Sequence, residues 1–325
     1  MGSLPELTPG RLLSSWQPDV PALLLVALLG GLYGWGVLRL RRRGEPWPVA
    51  RTAVFAVVGL GALVVATMSA LAVYDRELFW PAAVQNILLD LVAPLGLALG
   101  DPLRLALRAL PEPAAGRVRR AMTGRLVRLL TFPLVSTVLV LATELTIYFT
   151  PYFETALRDG WLHQLMYLHL LLAGCLFVVP VLTREEALPA WCTHPVRAAL
   201  VFLDGIVDAV PGIVVMTHGT LIAGAWYLHH APSWSPDVQH DQQVGGGAMV
   251  GIAELVALPF LLAILVQWAR TERAETVALD RRLDAELVPA APMGGSDQEP
   301  DRVRPWWETE NSAVAQRIRQ QGPGA

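Results

Sequence analysis

Seven apolar segments, each about as long as a helix that crosses a bilayer, dominate this 325-residue chain. Roughly twenty apolar residues span the hydrocarbon core as a helix, which satisfies its own backbone hydrogen bonds there. With 54% hydrophobic and 16% charged residues, the chain is too apolar for an ordinary soluble protein. The pattern predicts an all-α integral membrane protein, a bundle of seven transmembrane helices. We place the spans at about residues 19–40, 50–73, 80–99, 128–149, 161–182, 197–228 and 246–269.

The arginines are distributed unevenly between the two sets of connecting loops. One set holds Arg39, Arg41, Arg42, Arg43, Arg51, Arg104, Arg108, Arg117, Arg119, Arg120, Arg125 and Arg128. The other set holds only Arg11, Arg76 and Arg158. Short cytoplasmic loops collect positive charge, so this asymmetry predicts the N-terminus outside and the C-terminus inside. Residues 1–18 are then a short extracytoplasmic N-terminus, and residues 271–325 are a cytoplasmic tail, helical at first and disordered from Pro289.

The fifth segment contains two histidines, His163 and His169, in an otherwise apolar span. Ionisable groups at this depth are costly, so they usually face the protein interior and have a function. Three-residue steps place His163, Met166 and His169 on one stripe of the helix, which predicts that both imidazoles face the same bundle interior.

The stripe is too wide for the two imidazoles alone to chelate one ion, so a metal would need ligands from neighbouring spans. Imidazole and thioether together suit copper, and the candidate partners are Met216 and His218 of the sixth segment. The alternative interpretation is structural hydrogen bonding between these histidines and a carboxylate such as Glu144 or Glu254.

Polar residues from several other segments are predicted to fall in or near the outer half of the membrane. They are Gln85, Asn86, Asp90, Glu144, Asp241 and Gln242. Glu254 lies near the middle of the seventh segment. Because Gly247 and Gly251 are spaced for close helix approach, we expect Glu254 to face packed protein.

Two carboxylates four residues apart, Asp204 and Asp208, share a helix face in the sixth segment. One of them is expected to be protonated or paired with an arginine. With Asp90, Glu144 and Glu254 they suggest an alternative function, a proton or small-molecule transporter.

An enzyme is not expected, because no nucleophile and base occur at a diagnostic spacing. The near-neutral net charge gives no reason to expect nucleic acid as a partner. Three histidines in the predicted outer loop, His229, His230 and His240, are either solvated or able to capture a metal.

The order of several local motifs is similar to that of one membrane protein family. The motifs are Tyr148–Glu154, His163, His169, Gly174, Phe177, Asp241–Gly246, Gly251, Glu254, Trp268, Asp280 and Arg281. They resemble the CtaG family of cytochrome c oxidase assembly factors. The resemblance implies a multi-pass protein of the bacterial plasma membrane that acts on a haem-copper oxidase subunit and handles copper.

The chain departs from the family pattern at three positions. Ala82, Asn86 and Asp208 stand where the family pattern has histidine. Two interpretations follow: His163 and His169 handle copper with new partners, or the chain is a divergent, copper-free membrane scaffold. A homodimer also remains open.

Overall fold

Seven long helices form the framework of the chain in a computed structural model, which describes residues 4–130, 132–182 and 194–287. They are helix 1 (Val20–Arg42), helix 2 (Val49–Tyr74), helix 3 (Phe79–Leu99), helix 4 (Pro133–Phe149), helix 5 (Gly160–Leu182), helix 6 (His194–Thr217) and helix 7 (Val238–Leu287). Six are long and apolar enough to cross a membrane. Helix 4 makes a seventh span if it is counted together with the short helix Tyr152–Arg158, from which it is bent by 63°. The predicted class, a helical membrane protein, is confirmed.

The sixth predicted span, residues 197–228, is not one continuous helix. Helix 6 ends at Thr217, and a separate short helix, Gly224–His230, follows the turn. Ala223, which precedes that helix, has a left-handed backbone with φ of 49°. This turn is what splits the predicted span.

Helix 7 begins at Val238, well before the predicted start at residue 246. Gly245, which lies before the predicted span, is helical, as are Gly246 and Gly247 at its predicted start. A Cβ on Gly246 would lie 2.6 Å from the backbone nitrogen of Met216. Glycine is therefore needed here for close packing of helix 7 against helix 6 rather than for a turn.

Helix 3 lies at the centre of the bundle, and glycines let its neighbours approach it backbone to backbone. A Cβ on Gly96 would lie 2.2 Å from the backbone nitrogen of Gly59 in helix 2. A Cβ on Gly174 of helix 5 would lie 1.7 Å from the carbonyl oxygen of Asp90. Each contact lies at or beside a π-helical turn, Phe55–Leu60 in helix 2 or Leu88–Val92 in helix 3. These contacts set how closely helices 2, 3 and 5 pack.

Helix 2 defines two ends of the bundle, which we call the Arg51 end and the Asp75 end. At the Arg51 end, Arg51 forms an ion pair with Asp101 at 2.7 Å. Asp101 has a left-handed backbone and starts the helix Pro102–Ala109, in which Leu105 is buried. The next helix, Glu112–Met122, carries further arginines. Much of the arginine-rich stretch therefore forms helices that bury apolar side chains, Leu105 and Ala109 in the first and Ala115 in the second.

The chain divides into two compact units, residues 1–271 and 272–325. The second unit is described only as the C-terminal part of helix 7, up to Leu287, with exposed side chains from Glu272 to Arg282. The predicted disorder from Pro289 lies outside the described residues.

We expect Gly96→Ala to lower the free energy of unfolding by about 1–3 kcal/mol, because the added methyl group forces helices 2 and 3 apart. Gly34→Ala is the matched control, since a Cβ at Gly34 meets nothing within 4 Å. Thermal unfolding of purified protein in detergent, followed by circular dichroism, measures both. Equal melting temperatures for the two variants would contradict the proposed contact.

Candidate functional site

A buried carboxylate, Asp75, is contacted by several parts of the chain. Its Oδ2 lies 3.3 Å from Nε2 of His163, and both side chains are only 6% exposed. The hydroxyl of Tyr167 donates to the same oxygen at 3.1 Å. The hydroxyl of Tyr227 donates to the Asp75 backbone carbonyl at 2.8 Å. Helices 2 and 5 and the short helix Gly224–His230 therefore meet at this residue.

Gln85 extends this group of contacts into helix 3. Its Nε2 donates to the hydroxyl of Tyr167 at 2.9 Å and to the carbonyl of Ala66 at 2.7 Å. The donors therefore run in one direction, from Gln85 through Tyr167 to the Asp75 carboxylate, so each bond polarises the next. We call these five residues, Asp75, Gln85, His163, Tyr167 and Tyr227, the Asp75 network.

Tyr227 lies outside the membrane-spanning helices but is fully buried. Burial raises the pKa of Tyr227 well above its ordinary value. The hydroxyl therefore stays protonated and remains a donor to Asp75 at any physiological pH.

The His163 ring uses one nitrogen in the Asp75 network. Its Nδ1 is buried and has no hydrogen-bond partner among the described residues. When Nε2 carries the proton that faces Asp75, Nδ1 is an acceptor. The ring also packs edge-on against Tyr167, with centroids 4.6 Å apart.

The prediction that His163 and His169 face the same interior is wrong. His169 is exposed, and its Nε2 lies 3.2 Å from Oγ1 of Thr143 on helix 4. Six residues of helix rotate the second imidazole by about 120° from the first, which is enough to turn it out of the bundle. Met166, between them, is buried in the apolar core.

The other predicted metal ligands do not join His163. Met216 is exposed on helix 6, and the ring of His218 packs against Phe149 at 5.1 Å. Throughout the described ranges, no three His, Cys, Asp or Glu side chains form a group that could hold a metal ion.

Asn86, Asp90 and Glu144 are buried. Nδ2 of Asn86 donates to the hydroxyl of Tyr148 at 3.0 Å. Asp90 and Glu144 are close enough to affect the same hydroxyl electrostatically. These residues form a second polar group, between helices 3 and 4.

Asp241 caps a helix from a distance. Its Oδ2 accepts from the backbone N–H of Phe79 at 2.6 Å, and its Oδ1 accepts from that of Trp80 at 3.3 Å. The first residues of helix 3 lack a side-chain cap of their own. Asp241 therefore satisfies backbone donors that would otherwise be unpaired at the N-terminus of helix 3. Its carboxylate also interacts favourably with the positive end of the helix dipole.

Gln242 holds the turn after helix 6. Its Oε1 accepts from the N–H of Ile222 at 2.7 Å, and its Nε2 lies 3.2 Å from the carbonyl of Val215 and 3.3 Å from that of Thr220. The side chain is fully buried. Its side chain thus stabilises, through backbone hydrogen bonds, the turn that splits the predicted sixth span.

The expectation that Glu254 faces packed protein is also wrong, because its side chain is exposed. Neither Gly247 nor Gly251 makes a close backbone approach, and Gly246 makes the contact with helix 6 instead. A carboxylate relay through Glu254 is therefore not assembled in the bundle. Asp208 is partly buried, and the side chain of Asp204 lies outside the described atoms.

The three histidines predicted to lie in the outer loop, His229, His230 and His240, differ in their surroundings. The ring of His230 stacks on Trp226 at 3.8 Å, and its Nδ1 lies 2.8 Å from the Trp226 carbonyl. His229 lies 6.0 Å from it, ring to ring. His240 is exposed in the first turn of helix 7.

Sequence reasoning missed Asp75 and Tyr167, the centre of the network. Asp75 follows helix 2 in a short loop with Arg76 and Glu77, so it looked like an ordinary loop charge. The available signal was Tyr167 itself, which follows His163 by four residues and so lies on the same helix face.

A polar cavity of about 290 Å³ lies beside the network. Its lining includes Asp19, Asp75, Arg76, His163, Gln164 and Tyr167. Asp19 caps helix 1 through Ala22 and also accepts a hydrogen bond from Gln164. Its charged and polar lining suits this cavity to hold a polar group.

We expect Asp241→Ala to reduce the free energy of unfolding by about 1–2 kcal/mol, because helix 3 loses its cap. Asp241→Asn should have a smaller effect, since the amide oxygen can still accept one of the two bonds. Thermal unfolding in detergent measures both, with the exposed Glu6→Ala as control. An unchanged melting temperature for Asp241→Ala would show that the cap is not stabilising.

The chain matches the family described as cytochrome c oxidase caa3 assembly factor (Caa3_CtaG) over residues 31–271. Proteins of Mycobacterium bovis and Mycobacterium tuberculosis, both named as uncharacterised, are 32% identical to it over 290 residues. The match covers 86% of this chain and 43% of each relative, so the chain spans under half the length of these relatives. A Mycobacterium leprae protein is 29% identical over 282 residues, 85% of this chain and 42% of that protein. No solved structure matches significantly. The chain therefore belongs to the CtaG family of cytochrome c oxidase assembly factors.

Proposed function

We propose that this protein is a non-catalytic scaffold that assists the assembly of a haem-copper oxidase in the bacterial plasma membrane. The family match over residues 31–271 carries the general role. The Asp75 network supports the more specific part, because it joins helices 2, 3 and 5 into one end of the bundle. That end is the surface we assign to contact with an oxidase subunit.

Charge supports the orientation that this role needs. The Arg51 end carries the arginine-bearing helices Pro102–Ala109 and Glu112–Met122. Positive charge collects on the cytoplasmic side of membrane proteins. The Asp75 end then faces outward, with the N-terminus outside and the C-terminus inside.

A fixed polar end suits a scaffold for a physical reason. Each polar group of the network that is buried and has a partner is costly to separate from that partner. The helices at this end are therefore held in one arrangement, which lowers the entropic cost of binding a partner there.

The described residues do not fit a resident copper site. His163 uses Nε2 toward Asp75, His169 lies on another helix face, and Met166 is enclosed by apolar side chains. Copper handling remains a prediction without support from this geometry, as does a homodimer.

We expect His163→Gln to preserve oxidase assembly and His163→Ala to impair it. The glutamine amide can still donate to Asp75 but is a poor Cu(I) ligand. Alanine leaves the buried carboxylate without this donor, which costs about 1–3 kcal/mol of folding free energy. His169→Ala should be tolerated. Each change is introduced into the chromosomal gene, so that the whole protein is retained, and oxidase activity and copper content are measured.

Membrane abundance of each variant, by immunoblot, separates loss of function from loss of protein. His240→Ala, an exposed histidine, is the control. The scaffold proposal would be wrong if His163→Gln and His169→Ala both yielded assembled oxidase that lacks copper.

We also expect purified protein to bind no Cu(I) tightly, because the described ranges hold no group of three His, Cys, Asp or Glu side chains that could bind a metal ion. Titration against a competing Cu(I) chelator measures this, with the His163→Ala/His169→Ala double variant as comparison. Near-stoichiometric binding that the double variant abolishes would establish copper handling and overturn the copper-free proposal.

A further inference from the structure

The polar cavity beside Asp75 adjoins an apolar slot. The slot has a volume of about 230 Å³ and lies between helices 1, 2, 3 and 5. Thr67, Gln164 and Tyr167 line both cavities. A polar chamber that shares a wall with a hydrocarbon slot has the shape needed for an amphiphile, with its head in one cavity and its tail in the other.

The walls of the polar cavity carry charges of both signs. Asp75 and Asp19 contribute carboxylates, and the exposed Arg76 contributes a guanidinium group. Two negative groups and one positive group in a single cavity favour a ligand that carries both a cation and an anion. Guanidinium groups bind phosphate well because they present several donors in one plane.

The acceptors in the polar cavity restrict the cation further. The carboxylate oxygens of Asp75 and Asp19 accept hydrogen bonds, and His163 approaches Asp75 through Nε2 at 3.3 Å. A complementary ligand therefore carries N–H donors, as a primary ammonium does and a quaternary ammonium does not.

The apolar slot is accessible from the bilayer. Leu165 and Leu168 line it and are exposed on the bundle surface. Trp161, which also lines it, is 77% exposed. Tryptophan at such a position is typical of the membrane interface, where an acyl chain begins.

We propose that these two cavities form a binding site for an aminophospholipid, with phosphatidylethanolamine as the chemical type. The primary ammonium lies against the carboxylates of Asp75 and Asp19, the phosphate lies against Arg76, and one acyl chain occupies the slot. Phosphatidylcholine lacks N–H donors, and phosphatidylglycerol lacks a cation. The site shares the Asp75 end with the proposed oxidase contact, but the lipid proposal does not rest on the oxidase role.

Quenching of Trp161 by brominated acyl chains tests the site. The protein is reconstituted in nanodiscs containing brominated phosphatidylethanolamine, phosphatidylcholine or phosphatidylglycerol, and the difference from Trp161→Phe isolates the signal of Trp161. Half-maximal quenching should need about tenfold less of the ethanolamine lipid, because a hydrogen bond to a charged group changes an equilibrium by about that factor.

Two variants separate the head-group contacts. Asp75→Asn should reduce the preference for ethanolamine over choline. Arg76→Gln should weaken binding of both lipids and leave their ratio unchanged, since both carry phosphate. Arg158→Gln is the matched control, an exposed arginine that pairs with Glu154 and does not line the cavity. Because Arg76 is exposed, its variant keeps the test informative if Asp75→Asn fails to fold.

Equal quenching by the three lipids would show ordinary annular contact and overturn the proposal. Stronger quenching by phosphatidylglycerol would indicate an anionic-lipid site and would also overturn it. If quenching still preferred the ethanolamine lipid to the same extent in Trp161→Phe, the lipid would bind elsewhere on the protein. That result would also overturn the proposal.

Discussion

A carboxylate buried near the end of an apolar bundle must find its partners inside the protein. Asp75 is in this position, and it is contacted by His163 and Tyr167 through its side chain and by Tyr227 through its backbone. A buried charge without partners costs several kcal/mol, so these contacts fix which faces of helices 2 and 5 meet. The position of the short helix Gly224–His230 depends on the same residue.

The need of buried polar groups for partners also explains two residues that look like functional residues in the sequence. Asp241 and Gln242 form part of a polar motif, yet their side chains bond to backbone groups of helix 3 and of the turn after helix 6. Helix ends leave donors and acceptors unpaired, and within a membrane bundle distant side chains must satisfy them. Both side chains of this polar motif thus stabilise the fold.

Much of the architecture was predictable because hydrophobic length is a local property. Most of the apolar segments follow from it. The errors at His169 and Glu254 have a different origin. Both residues lie on apolar helices, and the hydrophobic pattern of such a helix does not fix its rotation about its own axis. Glycine contacts with neighbouring helices set that rotation.

The amino-acid sequence by itself determined the class of protein, a helical membrane bundle, and its family, since both depend on runs and motifs along the chain. The tertiary structure decided which polar residues meet. His163 is directed to Asp75 and His169 is directed outward because the Asp75 contacts and the close packing at Gly59, Gly96 and Gly174 together set how helices 2, 3 and 5 face one another. A stripe of residues on one helix cannot specify its partners on another.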